Sequence, residues 1–127
     1  MRQLLLDTHV VLWAFASPER LSATVRRAVE DPRNTVLVSA ATVWEVEIKR
    51  ALGKLDAPAG FAAHCLERGF EPLDITFDHA ETAGGLPPHH ADPFDRMLIA
   101  QALTDDLELV SKDSVFASYG VRLVSPV

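Results

Sequence analysis

Apolar positions along the chain fall into short unbroken runs that alternate with longer segments of helical period. The first run, Gln3 to Leu6, meets Asp7 and then Val10 to Ala16, the pattern of a buried strand turning into a helix. After the Ser17-Pro18 break, Ser22 is placed to cap a helix from Ala23 to about Glu30, which ends in the turn cluster Asp31-Pro32-Arg33-Asn34. A second apolar run, Thr35 to Val38, leads into a longer helix capped by Ser39, running to about Leu52 and stopped by Gly53. Pro58 or Ala59 opens the next helix, which reaches Arg68 and stops at Gly69, and Glu71 to Ile75 reads as a third strand. A short helix from about Phe77 to Ala83 is expected to dissolve at Gly84-Gly85. Leu86 to Ala91 is the most loop-like stretch, and Pro93 sits at the first position of a strongly apolar helix to about Leu103. A fourth strand at Leu107 to Ser111, a short helix at Ser114 to Ser118 and a last strand at Val121 to Val124 complete the pattern.

Strands alternating with helices predict an α/β fold with a mainly parallel central sheet covered on both faces. No repeat, low-complexity tract or linker-like shift interrupts it, so residues 1–127 read as a single domain. Open sheets of this kind bind ligands outside the carboxyl ends of their strands, which singles out Asp7 after the first strand and Asp113 after the fourth.

Composition narrows the classes. With 48% apolar and 24% charged residues, and no run near the roughly 18 apolar residues of a membrane span, disordered and membrane-spanning readings fall away. The single cysteine, Cys65, forbids an internal disulfide or a cysteine-based zinc cage and fits a reducing compartment. The start, MRQLLLDTHV, has too short an apolar run for a signal peptide, so the cytoplasm is the expected location. Twelve basic against eighteen acidic side chains give a net charge of −6, which argues against a broad basic face for nucleic acid. Acids that converge on divalent cations would invert the local field and make a phosphate backbone attractive there.

Asp7, Asp92 and Asp113 each have a plain reading as helix caps. At about 100° per residue, Trp44, Ile48, Ala51, Leu52 and Leu55 define a buried stripe centred near Ile48, and Glu45 flanks it at about 60°. The competing reading of Glu45 is a solvated acid pairing with Lys49 four residues on. Lys49, Arg50 and Lys54 are expected to project away from the stripe. In the helix after Pro93, Asp95 falls about 60° from Leu98, inside an apolar arc with Phe94 and Ala102. A carboxylate there needs a metal or a strong donor opposite it, or else serves with Asp92 at the helix start. Asp7, Glu45, Asp95 and Asp113 lie on four elements that can converge at one edge of the sheet. Oxygen-only ligands suit Mg²⁺ or Mn²⁺, and the hydroxyls of Thr8, Ser39 and Ser111 are spaced to orient the carboxylates. His89 and His90, adjacent in a Pro-rich loop, make a weaker metal candidate.

Four segments, taken in order, resemble the PIN domain nucleases, specifically the VapC-type toxins of bacterial toxin–antitoxin modules. They are Leu4-Leu5-Leu6-Asp7-Thr8-His9, then Ser39 through Trp44-Glu45-Val46-Glu47-Ile48-Lys49, then Asp92-Pro93-Phe94-Asp95-Arg96-Met97-Leu98-Ile99-Ala100-Gln101-Ala102, and Leu109-Val110-Ser111-Lys112-Asp113. The resemblance places the family's acidic quartet on Asp7, Glu45, Asp95 and Asp113, with Ser111 near the last acid and with Asp92 and Glu47 as further acids. It implies a Rossmann-like α/β/α sandwich, Mg²⁺- or Mn²⁺-dependent RNA cleavage, a homodimer, and silencing by a cognate VapB-type antitoxin in the active-site groove. Arg96 and Lys112 become candidate contacts for RNA or antitoxin. Two other classes compete: a receiver-type signalling module that binds Mg²⁺ in an acidic pocket, and an inactive PIN-like interaction scaffold. A receiver would carry paired acids after the first strand and a mid-chain acceptor aspartate at a strand end, where this chain has Asp7-Thr8-His9 and a helical acid.

Overall fold

The structure, a computed structural model, describes residues 1–57 and 59–127. Five strands, β1 Gln3–Leu6, β2 Thr35–Ser39, β3 Glu71–Leu73, β4 Glu108–Val110 and β5 Arg122–Val124, form one sheet in the order β3-β2-β1-β4-β5. All four ladders are parallel, with Leu5 opposite Leu37 on one side and Leu109 on the other. Six α-helices connect and cover them: α1 Thr8–Ala16, α2 Ala23–Glu30, α3 Ala40–Ala51, α4 Phe61–Glu67, α5 Phe77–Gly85 and α6 Pro93–Thr104. Two 3₁₀ turns, Pro18–Arg20 and Ser114–Tyr119, complete the described elements.

The unbroken leucines of β1 follow from its central place. Side chains alternate across a strand, so Leu4 and Leu6 enter one core with Val10, Val36, Val46 and Phe61, while Leu5 enters the other with Leu98, Ile99, Leu109 and Phe116. Full burial of each such side chain contributes roughly 1.5–3 kcal/mol. The result is the expected α/β/α sandwich, with α1 to α4 supplying the first core and α6 the second.

Several boundaries differ from the sequence pattern for identifiable reasons. Helix α4 begins at Phe61, after Gly60 at φ +83°, and not at Ala59; the alternative start at Pro58 lies outside the described residues. Helix α5 continues through Gly84 and Gly85 because the Arg96 guanidinium holds the carbonyls of Ala83 and Leu86 at 2.9 and 2.8 Å from outside the helix. Strand β3 stops at Leu73, and Ile75 is exposed.

The largest correction concerns α3. Its buried residues are Ala41, Thr42, Glu45 and Val46, whereas Trp44 and Leu52 are 61% and 63% exposed. The true inward face is rotated by roughly a quarter turn from the apolar stripe, and Glu45 stands in it. Trp44 instead covers the start of α6, with its ring 5.3 Å from that of Phe94.

Connections from β1 run outward through β2 to β3, and those from β4 run the other way to β5, so the topological switch point lies between β1 and β4. A receiver of flavodoxin-like topology has the order 2-1-3-4-5. This sheet does not have that order.

Candidate active site

The carboxyl ends of β1 and β4 open at the switch point into a cavity of about 530 Å³, lined by Asp7, Glu45, Asp92, Asp95 and Asp113 together with Thr8, His9, Trp13, Lys49, Lys112 and Phe116. All four acids of the sequence quartet therefore face one space.

Asp7 joins β1 to α1 and is 6% exposed. Its Oδ1 accepts the Val10 N–H at 3.0 Å, which caps α1, and its Oδ2 accepts the Ser111 hydroxyl at 2.5 Å. The cap reading and the site reading thus hold together, one oxygen serving each. Burial pushes the Asp7 carboxyl above the ordinary range, against the opposing pull of the Ser111 and Val10 hydrogen bonds. Ser111 also accepts the Asp113 N–H at 3.1 Å, so one buried hydroxyl ties the first acid to the backbone of the last.

Glu45 is 5% exposed and held from both sides. The Thr8 hydroxyl donates to its Oε1 at 2.6 Å and the Lys49 ammonium to its Oε2 at 2.8 Å. The Lys49 pairing is real, but the acid it holds is buried. Lys49 therefore reaches into the cavity and departs from the solvated face expected for it, and its hydrogen bond to Glu45 raises its pKa. Arg50 does lie outside, paired with Glu47 at 2.8 Å, which keeps Glu47 away from the cavity lining.

Asp92 caps α6, its Oδ1 accepting the N–H groups of Phe94 at 2.8 Å and Asp95 at 3.3 Å. Asp95, one turn into α6, is three-quarters buried as a side chain, and its carboxyl is pushed up to about 7. Burial is the main cause; the negative charges of Asp92, Glu45 and Asp7 add to it and His90 opposes it. Asp113 is the exposed member. Its Oδ1 caps the second 3₁₀ turn through the Val115 N–H at 3.1 Å.

Of three other expectations, two resolve differently and one stands. The Ser39 hydroxyl caps α3 through the Ala41 N–H at 3.0 Å and orients no carboxylate. Arg96 is occupied inside the protein: besides Ala83 and Leu86 it donates to the carbonyls of Pro87 and His90 at 3.0 and 3.2 Å. Lys112 does stand at the cavity rim, 5.9 Å from the centre of the Trp13 ring, whose other cationic neighbour is Arg20 at 4.4 Å.

The two histidines separate. The His89 ring lies 5.1 Å from that of Tyr119, while His90 Nε2 reaches 2.9 Å from Asp95 Oδ2 and 3.3 Å from Asp113 Oδ2. Ligand atoms of His90, Asp95 and Asp113 all lie within 4.8 Å of one another. Sequence spacing did not reveal this, because a loop ahead of a capped helix folds back over the first turn without any periodic signal. Lys49, His9 and Trp13 were likewise missed as cavity residues.

A three-layer parallel sandwich with carboxylates converging at its switch point has the donor set of a hard-cation site. A family profile described as PIN domain matches residues 4–121, and the chain belongs to that family. It is 31% identical over 123 residues to ribonuclease VapC22 of Mycobacterium tuberculosis (strain ATCC 25618 / H37Rv), spanning 94% of this chain and 93% of that protein. A shorter match, 44% identical over 62 residues, to ribonuclease VapC16 of the same strain spans 46% of this chain and 43% of that protein, less than half of either. Among solved structures, a chain of a toxin–antitoxin complex from Klebsiella pneumoniae superposes with a TM-score of 0.69 at 21% identity, covering 98% of both chains. That likeness bears on the fold.

Proposed function

We propose that this PIN domain is an endoribonuclease, the toxin of a toxin–antitoxin pair, and that residues 1–127 act as one catalytic domain in the cytoplasm. The observation that carries the reading is the convergence of Asp7, Glu45, Asp95 and Asp113 on one cavity at the switch point. The near full-length similarity to a VapC ribonuclease supports RNA as the substrate, and the likeness to a chain of a toxin–antitoxin complex supports an antitoxin of VapB type as the partner. A homodimer is part of the same proposal.

The donor set fits Mg²⁺ or Mn²⁺. The lining offers carboxylate oxygens and no thiolate, and burial beside other acids raises the pKa of Asp95, a charge cost that a bound cation would offset. Asp7, Glu45, Asp95 and Asp113 would hold the cation. When bound, it supplies Lewis acidity and charge neutralisation for phosphodiester hydrolysis. The chain's own residues do the rest. Ser111 and Thr8 fix Asp7 and Glu45 by hydrogen bonds, so those carboxylates need no reorganisation as charge develops. Lys49 pairs with Glu45 from inside the cavity, and Lys112 at the rim offers a cation to a backbone phosphate entering a cavity lined by five acids.

Purified protein incubated with RNA in Mn²⁺ should cleave it, and EDTA should stop cleavage while leaving the circular dichroism spectrum unchanged. Cleavage undiminished by EDTA overturns the metal-dependent reading. Expression alone should slow growth, and co-expression with the adjacent antitoxin should relieve it.

A further inference from the structure

One side chain at the site has no part in the quartet yet touches two of its members. His90 sits in the loop between α5 and α6, held through both its backbone and its ring. Its backbone N–H donates to the Tyr119 hydroxyl at 2.7 Å, that hydroxyl donates to the Pro87 carbonyl at 2.7 Å, and the ring packs 5.7 Å from that of Phe116. The Arg96 guanidinium holds the His90 carbonyl from behind. A loop residue anchored this fully has a defined side-chain direction.

That direction is toward Asp95 and Asp113. The ring's Nδ1 accepts the Asp92 N–H at 3.3 Å, which leaves Nδ1 unprotonated and places the proton of the neutral ring on Nε2. Nε2 is buried, and its near polar neighbours are Asp95 Oδ2 at 2.9 Å and Asp113 Oδ2 at 3.3 Å, neither of them aligned as a regular hydrogen bond. The Nε2 edge of the ring thus stands within ion-pair distance of two carboxylates from different elements, one on α6 and one after β4. Asp113 needs such a tether most: it is the exposed acid of the quartet, and the other contact of its carboxylate is the cap to Val115.

Resting on the metal-dependent reading above, we propose that His90 is a positioning residue of the site, whose Nε2–H draws Asp95 and Asp113 together and sets the geometry in which they receive a divalent cation. It acts as a donor to the ligating carboxylates and not as a ligand. Carboxylate ligands that are themselves hydrogen-bonded are held in place before the metal arrives, and loss of such a partner typically weakens metal binding tenfold to a hundredfold. The same tether links the cation site to the α5–α6 loop, so the loop's anchors, Tyr119 and Arg96, support it at one remove.

The test measures Mn²⁺ affinity by calorimetry or by electron paramagnetic resonance of the free ion, with no RNA present. His90→Phe keeps the ring against Phe116 and removes the donor; His90→Gln offers an amide N–H at about the same reach. His90→Phe should bind Mn²⁺ about tenfold or more weaker than the unsubstituted protein, and His90→Gln should recover most of the loss, both with unchanged circular dichroism. In the metal-free protein, ¹⁵N shifts of His90 should place the proton on Nε2. Equal Mn²⁺ affinity in His90→Phe, a proton on Nδ1, or a directly bonded nitrogen in the pulsed resonance of bound Mn²⁺ would each overturn the role of His90. Failure of the unsubstituted protein to bind Mn²⁺ at all would overturn the metal reading and this inference with it, which keeps the two failures distinct.

Discussion

Asp95→Asn should stabilise the metal-free protein while abolishing cleavage. In the folded chain the Asp95 carboxyl titrates near 7, against about 3.9 for an aspartate in an unfolded chain. Between those values the folded state binds the extra proton, so stability falls as pH rises from about 4 to about 7. Above 7 the folded protein carries the whole cost of an ionised carboxylate among Asp92, Glu45 and Asp7. A tenfold change in proton affinity corresponds to about 1.4 kcal/mol. A quarter of the side chain remains in solvent, and the repulsion is shared with its neighbours, so the recoverable part is on the order of 2 kcal/mol. Asparagine keeps the shape and removes the charge. Urea melts in EDTA at pH 8 should therefore show Asp95→Asn more stable than the parent by about that amount, and melts at pH 4 should show the two alike. Adding Mn²⁺ should reverse the order at pH 8, because the parent gains binding energy that the variant lacks. If the variant is less stable than the parent at pH 8 in EDTA, the carboxylate is a stabilising cap partner and the argument from repulsion fails.

Three further outcomes follow from single contacts. Lys112→Ala should raise the KM for RNA with little change in kcat and reduce the salt dependence of binding, measured by cleavage across a range of KCl; an unchanged KM places the strand elsewhere. Arg96→Ala should lower stability by about 2 kcal/mol, since it strips charge-assisted bonds from four carbonyls, and Arg96→Lys should not restore it; urea melts decide. Cys65, buried and with its thiol pushed up to about 11, should resist Ellman's reagent in the native protein and react at once in urea.

The fold was legible because both faces of its sheet are buried. Leu4, Leu5 and Leu6 must all be apolar, and capping side chains at Asp7, Ser22, Ser39 and Asp92 mark where helices begin. The pattern failed on α3 for a reason that bears on function. An apolar stripe predicts the inward face only where that face is packed against core, and here the inward face carries Glu45 to a polar cavity, with Thr42 buried beside Thr8, while Trp44 and Leu52 are left outside. Glu45 was placed beside the buried stripe when it belongs at the centre of the buried face. On α6 the same arithmetic held, because Asp95 sits one turn from the fully buried Leu98 and Ile99. The contributions of Lys49 and His90 depend on how α3 and the α5–α6 loop turn toward β1 and β4, a tertiary relation with no local periodicity. Arg96 shows the converse: an arginine beside the acids looks like a phosphate contact in sequence, yet four carbonyls of α5 and of the loop that follows it occupy it.

The claim that one carboxylate cavity at the β1–β4 switch point performs the chemistry is tested most directly by single-turnover RNA cleavage in Mn²⁺ with Asp7→Asn, Glu45→Gln, Asp95→Asn and Asp113→Asn, beside Glu47→Gln as a control outside the cavity. Each of the four should lose cleavage by orders of magnitude while keeping the native circular dichroism spectrum, and Glu47→Gln should cleave at the parent rate. Full activity in folded Asp7→Asn, or loss of activity in Glu47→Gln with Glu45→Gln unaffected, would contradict the account.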